Sequence, residues 1–330
     1  MRISNETSSA AAGAAGESTT AAHSAPSAAS LAKLIEVREP YLALQDLASS
    51  QPGYVTARVW PEQPVDLEIS EISAAEAGRH LAILGSIASA MLRPDPSKRV
   101  YYLAERAVMT ASDAPAHRTD APLRLEARCT ESSARRATAD CQIYGTDGRP
   151  RFHLDVAYTL VPEKVFQRLF AAHRFDMRRN GLRSAQTLSE EAIREQRRNP
   201  YCRRLDLETI ELTETRVRAR LSMVPAEACA GHFPQYPALP VAVLMEALCN
   251  AGGQLLRKHF ASPALRYRVL HGDTIASKLV FAGQSIVVEG ELLERLSDWT
   301  RKIAVRARLP TGEEVGSATL SLEAVPGAER

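Results

Sequence analysis

Sulfur is scarce in this chain. It has five cysteines in 330 residues, none in a CxxC pair, so neither a redox dithiol nor a zinc ribbon is encoded. They are expected to be reduced thiols of a cytosolic protein. Charge of one sign is missing too. The 41 basic and 39 acidic residues leave a formal net charge of +2, which sets up no chain-wide field toward nucleic acid or a membrane surface. No run of 18 apolar residues occurs, so no segment is built as a membrane-spanning helix. Phosphate-loop (GxxxxGK[ST]), HExxH and GxSxG patterns are all absent. The N-terminal stretch MRISNETSSAAAGAAGESTT has neither the apolar centre of a signal peptide nor the arginines of a transit peptide. Residues 1–40 are expected to be a disordered Ala/Ser-rich segment, having little apolar surface to offset the entropy of ordering. A soluble, cytoplasmic protein follows as an expectation.

Two regions repeat one order of elements: an opening strand, a long apolar helix, then strands with period-two alternation. The first, assigned to 41–162, has YVTARVW, a helix from about Ala74 to Leu92, and four strands, with GTDG (145–148) as the last hairpin turn. The second, 205–330, surrounds a helix from Val241 to about Phe260 with strands including LRYRVLHGD and SIVVEGELLE. A helix such as VAVLMEALCNAGGQLL is apolar on nearly every face and must be surrounded. The pattern therefore predicts an α+β chain of two antiparallel sheets, each wrapped around a long central helix. Between the halves, residues 163–204 carry eleven lysines and arginines against five acids. They read as a solvated helical linker or as a docking face for an acidic partner, centred on Arg178 to Arg198.

The stretch GHFPQYPALPVAVLMEALCNAGG, residues 231 to 253, carries the chemistry. Pro240 suits the start of a helix, where its missing N–H costs nothing. The free N–H groups of the first turn and the positive dipole end then face the loop that holds His232. Glu246, in the second turn among apolar neighbours, is expected to have a raised pKa and a partner.

His232, Phe233, Pro234, Pro237, Pro240 and Glu246 resemble, at identical spacing, the GHFPGxPVxPGVLxxEA signature of the hot-dog-fold 3-hydroxyacyl-acyl carrier protein dehydratases. Phe281, Gly283 and Gln284 in VFAGQS resemble a second, shorter element of that family. Gln235 and Val241 stand where its pattern has glycine. The resemblance covers about 205–324 and implies a double hot-dog lyase that dehydrates 3-hydroxyacyl thioesters in fatty acid or polyketide-type synthesis. It makes His232 and Glu246 catalytic, and Gly231, Phe233, Val241 and Gly283 substrate-binding. The substrate would ride on the phosphopantetheine of an acyl carrier protein docked on 163–204, with no metal or other cofactor. An acyl-thioesterase on the same fold and a noncatalytic acyl- or carrier-binding partner of a synthase complex are the alternatives.

In that family the histidine and the acid of one site come from neighbouring hot dogs. Here both lie in the second half. Packing the halves together would present His232 with Arg79 and His80 of the first helix, as a joint site or as a satisfied interface pair. A homodimer, pairing the second halves of two chains, is the other way to complete the dyad. His271 and Asp273 in RVLHGDT read as a strand-end turn, and Cys249 as inert packing.

Overall fold

A computed structural model describes residues 27–64, 67–95, 98–112, 121–174, 199–233 and 235–325. Its strands run β1 Gln45–Gln51, β2 Tyr54–Val59, β3 Val100–Ala111, β4 Leu123–Ser132, β5 Arg136–Tyr144, β6 Pro150–Pro162, β7 Glu208–Leu212, β8 Arg216–Leu221, β9 Arg266–Ala276, β10 Ile286–Arg295, β11 Thr300–Arg308 and β12 Glu314–Val325. The helices are α1 Ala28–Ala32, α2 Ala74–Ala90, α3 Glu163–Leu169 and α4 Val241–His259.

The strands form one antiparallel sheet in the order β1-β2-β4-β5-β6-β3-β9-β12-β11-β10-β8-β7. This corrects the expected pair of separate sheets, each wrapped around its own helix. The seam is β3 against β9, in register from Arg106↔Ile275 to Thr110↔His271. Pairing there removes the inner edge each half would otherwise expose. An Arg106–Asp273 ion pair of 2.8 Å spans it. His271 and Asp273 consequently lie within β9, not in a turn, because β12 and β3 hold the strand on both sides.

Each long helix packs on the strands of its own half, α2 on β2, β4, β5 and β6, and α4 on β8 to β12, and the two helices also pack on each other. α2 is buried along nearly its whole length. It tolerates this because Ser73 caps its first turn and the hydroxyls of Ser86 and Ser89 donate to carbonyls of the preceding turn. Gly253 lets α4 come down on β9: a Cβ there would sit 2.3 Å from the Tyr267 ring.

Part of the segment expected to be disordered is packed. Leu31, Ile35 and Val37 are buried, as is Tyr41 just beyond the segment, and Val37 bridges to His232. In the basic linker, α3 lays Phe166 flat on Tyr101, with ring centroids 3.8 Å apart, and edge-on to Phe233 and Tyr236. The expected docking centre, Arg178 to Arg198, lies outside the described residues. Among the described residues, no helix is long and apolar enough to cross a membrane.

Candidate functional site

α4 begins at Val241 behind Pro240, as the proline implies, and no side chain caps it. Its first internal bonds run from the N–H groups of Val243 and Leu244 to Pro240. The N–H groups of Val241 and Ala242 precede that ladder, and both residues line a cavity of about 430 Å³. The cavity lies between α2 and α4 over the seam strands β3 and β9, with Ala75, Gly78, Ala82, Met109, Met245 and Leu320 among its walls.

His232 and Phe233 line the same cavity. The His232 ring stacks on Phe233, with centroids 4.0 Å apart, and meets the Tyr41 ring edge-on at 5.1 Å. Its Nδ1 lies 2.9 Å from the carbonyl oxygen of Ala238. A carbonyl only accepts, so Nδ1 carries the proton and Nε2 presents a bare lone pair. Burial holds the imidazole pKa down at about 4, against the smaller opposing effect of that hydrogen bond. At neutral pH the ring is uncharged.

Gly231 plays a structural part. Its φ of +77° and the Arg38 carbonyl oxygen, 2.3 Å from where a Cβ would stand, admit no side chain, and its own carbonyl accepts the Arg38 N–H at 2.8 Å. Gly283, at φ +87°, bonds through its N–H to Val224 and is not among the cavity's walls.

Glu246 points elsewhere. Oε2 accepts from Gln63 Nε2 at 2.9 Å and Oε1 lies 3.4 Å from Arg204 Nε, while Gln63 accepts in turn from Ser73, the N-cap of α2. Glu68 caps the same region through the Ala74 N–H at 2.7 Å. Burial raises the pKa of both Glu246 and Glu68 to about 7. Glu246 does not line the cavity, and its hydrogen bond and ion pair go to Gln63 and Arg204 rather than to His232. Arg79 and His80 are also off the cavity. Arg79 NH2 lies 3.0 Å from His80 Nε2, its guanidinium pairs with Glu62, and it packs over the Tyr41 and Tyr201 rings. Desolvation, then the charge of Arg79, pushes the His80 pKa well down.

Sequence reasoning missed Gln63, Arg204, Tyr201 and Tyr41. Gln63, just ahead of the loop PVDLEISEI, makes the contact to Glu246. Among the described residues, Glu62, Glu76 and His80 bring potential ligand atoms within 4.8 Å of one another, as do the more exposed Asp140, His153 and Asp155. In the first group Arg79 already neutralises Glu62, and Glu76 accepts the N–H groups of Glu62 and Gln63.

The buried glutamate makes stability pH-dependent. With its folded pKa raised from 4.5 to about 7, the native state holds the proton more tightly than the unfolded chain. That contribution is fully present below the unfolded value and is lost as pH rises through about 7. Its size is about 3 kcal/mol. Glu246→Gln is expected to flatten the fall in unfolding free energy between about pH 5 and pH 8 by roughly 2 kcal/mol. Urea denaturation at the two pH values measures it, and an unchanged fall would show that Glu246 is ionised throughout.

No family model matches the chain, and no curated protein matches it in sequence. Solved structures do match. The tesB protein of Mycobacterium avium subsp. paratuberculosis superposes with a TM-score of 0.52 at 12% identity, over 87% of this chain and 98% of that one. A conserved protein with a hot dog fold from Alicyclobacillus acidocaldarius gives 0.50 at 9% identity, over 88% and 100%. An acyl-CoA thioesterase II from Mycobacterium marinum gives 0.49 at 10% identity, over 86% and 97%. The expectation of a lyase is corrected here. The His232–Glu246 pair that the dehydratase resemblance calls for is not assembled within the chain: Glu246 accepts from Gln63, and the His232 ring bonds to the Ala238 carbonyl. What the likeness establishes is the architecture: this chain has the hot-dog fold.

Proposed function

We propose that this protein hydrolyses an acyl thioester, with the acyl chain in the cavity between α2 and α4 and the thioester carbonyl beside His232. One observation carries the reading: an apolar cavity of about 430 Å³ places a neutral imidazole and the open first turn of α4 on the same wall. Apolar walls suit an acyl chain and exclude water from it. The N–H groups at Val241 and Ala242 stabilise negative charge on the carbonyl oxygen.

In the reaction, His232 Nε2 takes a proton from water as the water oxygen bonds to the carbonyl carbon. The tetrahedral intermediate then expels sulfur, and the imidazolium returns its proton to the thiolate. Imidazolium and oxyanion form together, so each supports the other, and the ring is a stronger base in that complex than in the empty site. The thiol is the pantetheine of coenzyme A or of an acyl carrier protein. A noncatalytic acyl-thioester binder is the second reading, favoured by the branched Val241 side chain on the wall beside the N–H groups.

A panel of acyl-coenzyme A and acyl-carrier-protein thioesters, followed by release of free thiol, tests the reading. Turnover with a strong preference for one range of chain length is expected. Because the base must be unprotonated, kcat/KM should hold steady from neutral pH downward and fall only as pH approaches about 4. A fall centred near 6.5 would mean that the ring is solvated. Tight binding without thiol release would favour the binder.

A further inference from the structure

Six tyrosines and phenylalanines gather around the His232 loop: Tyr41, Tyr101, Phe166, Tyr201, Phe233 and Tyr236. Of the cavity's tyrosines, Tyr158 donates its hydroxyl to the Ala82 carbonyl at 2.6 Å, and Tyr102 faces Arg93 without a hydrogen bond of normal geometry. Tyr41 is the one whose ring packs on His232. Tyr201, which packs against Tyr41 off the cavity, donates to the carbonyls of Ala230 and Ala228 at 2.6 and 3.3 Å. Tyr41 lines the cavity, is 6% exposed, and its hydroxyl has no hydrogen-bond partner among the described residues. A buried hydroxyl without a partner costs stability, and a polar ligand group in the cavity that Tyr41 lines would supply one.

Its ring is firmly held. Tyr201 packs edge-on at 5.2 Å, His232 edge-on at 5.1 Å, and the Arg79 guanidinium carbon lies 5.7 Å from the ring centre. The segment carrying it is pinned to the site loop by the Val37–His232 bridge and the Arg38-to-Gly231 hydrogen bond. We propose that Tyr41 is a further catalytic residue, its hydroxyl donating a hydrogen bond to the thioester carbonyl oxygen opposite the first turn of α4. The proposal rests on the acyl-thioester reading of the cavity. It makes the site a joint product of the chain's N-terminal segment and its second half. Burial raises the pKa of the phenol, so it stays protonated and a donor.

Tyr41→Phe removes the hydroxyl and keeps the ring. It is expected to lower kcat/KM for thioester hydrolysis about 10²-fold without lowering the thermal midpoint. Equilibrium binding of an uncleavable acyl-pantetheine ketone, with methylene in place of sulfur, and of the same molecule with methylene also in place of the carbonyl, is measured on both proteins. Wild type should favour the ketone about tenfold, and Tyr41→Phe should lose that preference. A variant with 4-aminophenylalanine at position 41, which keeps the ring and an N–H donor, should regain part of both and guards against a folding artefact. Should wild type release no thiol, the hydrolytic reading fails while the binding ratio still decides the role of Tyr41. Tyr41→Phe with unchanged turnover and an unchanged ratio would overturn the proposal.

Discussion

His232→Ala is expected to lower kcat/KM for thioester hydrolysis by about 10²- to 10⁴-fold, the usual worth of a positioned general base. The loss should fall mainly on kcat, because the acyl chain binds along walls that the substitution leaves intact. Nδ1 is committed to the Ala238 carbonyl, so the substitution also frees one carbonyl of the loop, and a modest drop in stability accompanies it. Glu246→Gln provides the contrast. Its carboxylate is engaged by Gln63 and Arg204, away from the cavity, so its removal should leave kcat/KM within about tenfold of wild type. Steady-state kinetics on the two variants separates a site built on His232 from one built on a His–Glu dyad. Equal losses would restore the dyad.

Gly231→Ala should be the most damaging single methyl group near the site. A left-handed φ costs an alanine about 1–2 kcal/mol, and at +77° Gly231 requires it. The added Cβ would stand 2.3 Å from the Arg38 carbonyl oxygen and 2.9 Å from that of Glu39, a backbone overlap costing a further 1–3 kcal/mol or so. The cheapest relief is to undock residues 31–41, which would take Ile35, Val37 and Tyr41 out of the cavity wall. The expected result is a thermal midpoint lower by roughly 5–10 °C, faster proteolytic cleavage ahead of Gln45, and lost turnover in a protein with a native far-ultraviolet spectrum. Cleavage and turnover at wild-type rates would show that this segment contributes nothing to the site.

These two residues mark what could be read in advance. Gly231 and His232 belong to a stretch whose prolines and apolar spacing fix a loop followed by a helix, and local chemistry alone placed the start of α4 at Val241. Period-two alternation likewise located ten of the twelve strands, but not the edge strands β1 and β7. The seam was not legible. Residues 106–110 pair with 271–275 through backbone groups that leave no side-chain pattern, so one continuous sheet looked like two. The same limit hid the fate of Glu246. Helical spacing put it on a buried face, but the packing of α2 on α4 decides which neighbours that face meets, and they are Gln63 and Arg204. Tyr41 was missed because its packing on the His232 ring is a long-range contact, and composition marked the adjoining residues 1–40 as unable to bury enough apolar surface by themselves. Val37 finds that surface at the His232 loop of the second half, and α1 finds it on β1, long-range gains that composition does not report.

The most direct measurement is a crystal structure with a long-chain acyl-pantetheine analogue whose sulfur is replaced by methylene, leaving an uncleavable ketone. The expected density threads the chain between α2 and α4 and sets the ketone oxygen about 3 Å from the Val241 N–H, with His232 Nε2 facing the carbonyl carbon. An analogue bound outside that cavity, or with its ketone remote from His232, would contradict the assignment of the site.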